Sequence, residues 1–219
     1  MTFSNTLSYA QQLDQQDPLR HFRERFYIPL FNGKESIYFT GNSLGLQSRS
    51  TQDYVLSELE DWANYGVEGH FHARHPWVSY HELFPELLSP IVGAMPEELV
   101  VMNQLTVNLH LLMISFYKPT KKRFKIICEA KAFPSDQYAL QSQVQLHGFE
   151  PAEAIIEVQP RNGSAYIDHN DIIDTIKKHG HETALVMFGG VNYYSGQVFN
   201  MQAICKAAHE AGALCGFDL

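Results

Sequence analysis

FKIICEAKAFPSDQYALQSQVQLHG, residues 124–148, is the stretch that decides the fold. Phe124–Cys128 is a short continuous apolar run, the pattern of a strand buried on both faces. Pro134–His147 then reads as a helix, with Ser135 placed to cap its start and Gly148 to stop it. Working outward, the same alternation recurs. Leu105–Phe116 is an apolar helix ahead of the first strand. Ile155–Val158 is a strand, Asp171–His179 a helix ended by Gly180, and Ala184–Phe188 a strand. Met201–Ala211 is a helix ended by Gly212, and Ala213–Phe217 a last strand. Buried strands alternating with helices predict an α/β fold with a mostly parallel sheet covered on both faces. In such sheets ligands bind beyond the carboxyl ends of the strands. The segments to examine are therefore Gly41–Gly45, Glu129–Asp136, Gly189–Gly196 and Asp218.

Toward the amino end the pattern is less regular. Residues 1–35 are polar, with an amphipathic stretch around Leu19–Phe26 and a turn at Asn32-Gly33. Ser36–Thr40 reads as a short strand. Thr51–Tyr65 carries Val55, Leu56, Leu59, Trp62 and Ala63 at helical spacing. A loop with His70, His72 and His75 leads to a second helix, about Tyr80–Val92.

The 219 residues are 45% apolar and 18% charged, with 16 Lys+Arg against 24 Asp+Glu. That is a globular composition, which excludes a disordered acidic chain. The net charge of −8 argues against a nucleic-acid partner. Lys118, Lys121, Lys122, Arg123 and Lys125 form the one dense cationic cluster and read as solubilising the approach to a strand. No apolar run reaches the roughly 18 residues of a membrane span, and no signal peptide is expected. Three cysteines (Cys128, Cys205, Cys215) without a CxxC pair suit reduced thiols in a cytoplasmic protein rather than zinc ligands.

Several motifs carry more than one reading. Gly41-Asn-Ser-Leu-Gly45 matches the GxSxG nucleophile elbow, which would make Ser43 a hydrolase nucleophile; only one strand precedes it, whereas the elbow follows several. A structural turn and a ligand-contacting turn remain open. The three loop histidines could suggest a metal, yet no carboxylate sits at partner spacing, and a single substrate-contacting histidine suits them equally. Thr106 reads as a helix N-cap and, compatibly, as part of an anion site built from free N–H groups. Phe133 and Asp136 flank a helix start where they could stack on and hydrogen-bond a planar ring. Asp218, at the end of the last strand, is placed to pair with a ring nitrogen.

Together YFTGNSLGLQ (38–47), HPW (75–77), MNQLTVNLHLLMISFYKPT (102–120), EAKAFPSDQYALQSQVQLHG (129–148), YYSGQVFN (193–200) and GFDL (216–219) resemble the kynureninase family. The resemblance implies the aspartate-aminotransferase-like fold, pyridoxal 5′-phosphate as cofactor, and a homodimer. It implies hydrolysis of the Cβ–Cγ bond of kynurenine or its 3-hydroxy derivative, giving an anthranilate and alanine in tryptophan catabolism and NAD biosynthesis. It assigns Leu105 and Thr106 to the cofactor phosphate and Phe133 to stacking on the ring. Pro134 and Ser135 would line the cofactor, Asp136 would lie near its phenolic oxygen, and Asp218 at its pyridine nitrogen. Ser43, His70 and Trp77 fall on the substrate side. In the segment here reading Phe188-Gly-Gly-Val191 the family carries a Ser or Thr near the cofactor, where Gly189 offers only a backbone N–H. The resemblance divides the chain into an N-terminal segment, 1–50, and the N-terminal part of the cofactor-binding large domain, 51–219. The Schiff-base lysine is expected beyond Leu219, so no catalytic residue is assigned here, and the 219-residue polypeptide is expected to be inactive alone. A non-catalytic truncated paralogue is the remaining alternative.

Overall fold

The structure is a computed structural model that describes residues 3–219. The chain packs as two compact units, Met1–Val101 and Met102–Leu219.

In the first unit, α1 (Leu7–Gln16) is capped by the Thr6 hydroxyl, which accepts from the Tyr9 N–H; no residue of this helix is buried. The Leu19–Phe26 stretch is a 3₁₀ helix over Arg20–Arg25. The turn at Asn32-Gly33 is present, both residues in the left-handed region with φ of 51° and 75°. It joins β1 (Leu30–Phe31) and β2 (Lys34–Glu35), an antiparallel pair. Ser36–Thr40, expected as a strand, has no regular structure, and only the Ser36 N–H bonds across, to the Pro29 carbonyl at 2.9 Å. Next come α2 (Thr51–Tyr65), the short α3 (Gly69–His72) and α4 (Pro85–Val92). The expected helix over Tyr80–Val92 breaks in two: a 3₁₀ helix covers Trp77–Leu83, and Pro85, which has no N–H and takes the first helical position, starts a new segment. The apolar residues of α2 are present at the expected spacing, yet Val55, Leu56, Leu59 and Trp62 are all more than half exposed.

The second unit carries the α/β pattern. Its elements are α5 (Leu105–Phe116), β3 (Lys125–Glu129), α6 (Pro134–Leu146), α7 (Pro151–Ala154), β4 (Ile155–Val158), α8 (His169–His179), β5 (Thr183–Gly189), α9 (Met201–Glu210) and β6 (Leu214–Asp218). The four strands form a wholly parallel sheet in the order β4-β3-β5-β6. Side chains alternate across the sheet with period two, and the core splits accordingly. Ile126, Cys128, Leu185 and Met187 pack with Leu109, Met113, Leu140 and Val144 of α5 and α6. Ile127, Val186 and Phe188 face the other way, onto Ile172 and Ile176 of α8 and Ile204, Ala207 and Ala208 of α9. The strands are continuous apolar runs because both faces are covered.

Two helix starts differ from expectation. Phe133, not Ser135, is the N-cap of α6; Pro134 follows at the first helical position, and the Ser135 hydroxyl hydrogen-bonds Asp136 at 3.3 Å. Gln104, not Thr106, precedes α5, so Thr106 lies within its first turn. Two members of the cationic cluster, Arg123 and Lys125, are structural. The Arg123 guanidinium donates to the carbonyls of Thr183 and Ala211 at 2.8–3.0 Å, tying the entry to β5 to the end of α9. Lys125 pairs with Glu182 at 2.6 Å. No helix among the described residues is long and apolar enough to cross a membrane.

Candidate active site

The strand order creates the site. The connection after β3 runs outward to β4, and the connection after β5 runs the opposite way to β6. Between β3 and β5 the sheet therefore has a topological switch point, and the carboxyl ends of its strands border a crevice. Three residues end adjacent strands there: Glu129 on β3, Gly189 on β5 and Asp218 on β6, the last two paired in register. Asp136, in the first turn of α6, reaches the same place, its carboxyl beside that of Asp218.

The electrostatics follow from crowding acids in a half-dry corner. Asp136 is 7% exposed. Burial pushes its carboxyl up to about 7, and the neighbouring Asp218 carboxyl and the Glu129 charge add to the rise; the Ser135 hydroxyl opposes it. Glu129 is 3% exposed, and burial raises it above the ordinary carboxylate range, opposed by the N–H of Gly189. Among the described residues none of these three acids takes part in an ion pair within 4.0 Å. Burial and the neighbouring acids thus favour the protonated form of Asp136.

Around it lie the other residues singled out from the sequence. Phe133 is half exposed, its ring edge-on to Tyr193 at 5.1 Å between centroids. Pro134 and Ser135 continue into α6. At the start of α5 the first backbone bond runs from the Asn108 N–H to Gln104, so the N–H groups of Leu105, Thr106 and Val107 precede it without helical acceptors. The Asn108 amide clamps the loop before this turn, bonding both the N–H and the carbonyl of Asn103 at 2.9 Å. Leu105 and Asp218 line one cleft of about 550 Å³ between α5 and β6, otherwise apolar apart from Asn108 and Tyr117.

Ser43, His70 and Trp77 belong to the first unit. His70 and Trp77 come together edge to face, centroids 5.4 Å apart, with the indole N–H donating to Glu58 at 3.0 Å. His72 turns instead to Glu68, 3.8 Å away. Ser43 sits in an exposed turn after unpaired chain, its N–H bonded to Thr40; among the described residues its hydroxyl has no hydrogen-bond partner, so the strand and base that a nucleophile elbow requires are both missing. Among the described residues no group of three or more His, Cys, Asp or Glu is placed to hold a metal ion. The site residue that the sequence reading missed is Glu129, whose signal was an acid closing a buried strand.

Structural likeness places the fold. The apo cysteine desulfurase of Thermococcus onnurineus matches over 100% of this chain and 48% of its own, with a TM-score of 0.60 and 18% identity. A C-DES mutant with glycine covalently linked to the PLP cofactor matches 91% of this chain and 48% of its own, with a TM-score of 0.65 and 11% identity. The fold is that of the fold type I pyridoxal-phosphate enzymes. No family model matches the chain. Curated relatives are far more similar: 59% identity over 219 residues with the kynureninase of Flavobacterium psychrophilum, covering 100% of this chain and 52% of the relative. The kynureninase of Myxococcus xanthus is 56% identical over 99% of this chain and 51% of its own, and that of Homo sapiens 48% over 96% and 48%. These curated relatives are kynureninases, and the chain spans about half of their length.

Proposed function

We propose that this chain is the N-terminal half of a kynureninase and that the strand ends of its second unit hold pyridoxal 5′-phosphate. The observation that carries the reading is the convergence of acids at the strand ends, with Asp218 beside Asp136 and lining a cleft that also reaches Leu105 at the start of α5. A protonated aromatic nitrogen would supply the positive charge this corner lacks. The residues present fit the cofactor: a carboxylate for the ring nitrogen in Asp218, a half-exposed ring in Phe133, and free N–H groups beside the Thr106 hydroxyl for a phosphate.

Each residue then has a task. Asp218 accepts from the ring N–H and holds that proton in place. Asp136 hydrogen-bonds near the phenolic oxygen, while Pro134 and Ser135 shape the wall. Leu105 and Thr106 fix the phosphate end. When bound, the cofactor supplies an electron sink for carbanion chemistry. Ser43, His70 and Trp77 contact the substrate, either kynurenine or 3-hydroxykynurenine. Water cleaves the Cβ–Cγ bond, yielding an anthranilate and alanine. The lysine that moves the α-proton lies in the other half of a cytoplasmic homodimeric enzyme.

The test is made on the complete polypeptide. Stripped of cofactor, it should release no anthranilate from kynurenine, and added pyridoxal 5′-phosphate should restore release. A preparation that binds the cofactor yet yields no anthranilate from either substrate would overturn the reading.

A further inference from the structure

Glu129 is buried at the end of β3, yet it is not one of the residues assigned above to cofactor or substrate. Both of its carboxylate oxygens lie 3.1 Å from the N–H of Gly189, on the neighbouring strand. The next N–H, of Gly190, donates to the backbone carbonyl of Asp218 at 2.7 Å. Two consecutive amides at the end of β5 are thus held from opposite sides, one by a side chain of β3 and the other by the backbone of β6. A Cβ on Gly189 would come 3.0 Å from Glu129 Oε1, so the acid occupies the space a side chain at 189 would need. Gly189 lies in the segment, Phe188–Val191, where the family resemblance expects a Ser or Thr near the cofactor.

We propose that Glu129 is a positioning residue of the site: by holding the Gly189 amide it fixes the end of β5 against β6, and so fixes where the Asp218 carboxylate points. It does this by reach and hydrogen bonding, in place of a side chain at position 189. Charge alone would not achieve it, because the contact is directed at one N–H. This inference rests on the cofactor reading above.

The experiment uses the complete polypeptide, with two readouts: the dissociation constant for pyridoxal 5′-phosphate and the visible circular dichroism of the bound cofactor. Glu129→Gln keeps an acceptor at the same reach without the charge, and Glu129→Asp keeps the charge one methylene short. The Gln variant should bind within about threefold of the parent with its dichroism retained, as expected when one acceptor replaces another. The Asp and Ala variants should bind at least about tenfold more weakly, roughly the loss of one hydrogen bond to a charged group, with altered dichroism. Gly189→Ala should weaken binding, and added to Glu129→Ala should weaken it little further, because one contact is lost only once. If Glu129→Ala does not fold, the order of the Gln and Asp variants decides. Parent-like affinity and dichroism in Ala or Asp would overturn the proposal, as would a Gln variant as weak as Ala. A parent that does not bind the cofactor would instead overturn the cofactor reading, and the inference with it.

Discussion

Asp136 shows how much one residue's surroundings decide. An acid in the first turn of a helix is ordinary, but burial and the Asp218 carboxyl push its titration to about 7. The unfolded chain releases that proton near pH 4, so between about 4 and 7 the folded protein holds one proton more. Stability from this site must therefore fall as pH rises through that window and level off above it. The cofactor-free parent should lose stability relative to Asp136→Asn from pH 4 to 7 in denaturant titrations; a constant difference would contradict the raised Asp136 titration. Asp136, Phe133 and Asp218 stand out in the sequence because they lie in the segments just beyond apolar runs. Glu129 opens one of those segments, but its contact was not readable, because its partner Gly189 is 60 residues away and only the sheet joins them.

At the scale of elements, Arg123 and Ile176 make contrasting cases. Arg123 reads in sequence as one cation in a solubilising cluster. In the fold its planar fork bonds two carbonyls from separate elements, so Arg123→Ala should cost roughly 2–3 kcal/mol in chemical denaturation. Lys, which lacks the fork, should recover less than half. A loss under about 0.5 kcal/mol, the range of an indifferent surface change, would show the contacts to be idle. Ile176 is fully buried against the sheet, and Ile176→Ala should cost about 2–5 kcal/mol, as truncation in a packed core does. The buried strands and their helices were readable because burial on both faces writes itself as continuous apolar runs. Ser36–Thr40 misled because local β propensity is not a strand without a partner. Helix α1 went unread because it is short and polar on average, and none of its few apolar residues is buried.

At the scale of the molecule, the sheet order turns a list of residues into a site. β3, β5 and β6 are separated in sequence by helices, yet their ends bring Glu129, Gly189 and Asp218 side by side. Apolar runs reveal strands but not their order, so this convergence became visible only with the pairing. The proposed task of the Asp218 carboxylate is to serve the ring nitrogen of pyridoxal 5′-phosphate. The most direct measurement is anthranilate release by the complete cofactor-loaded polypeptide, parent against Asp218→Asn. The parent should turn over kynurenine, and the variant should do so about a hundredfold more slowly or worse, the scale of losing one preorganised electrostatic contact. Equal turnover in the two proteins would contradict it.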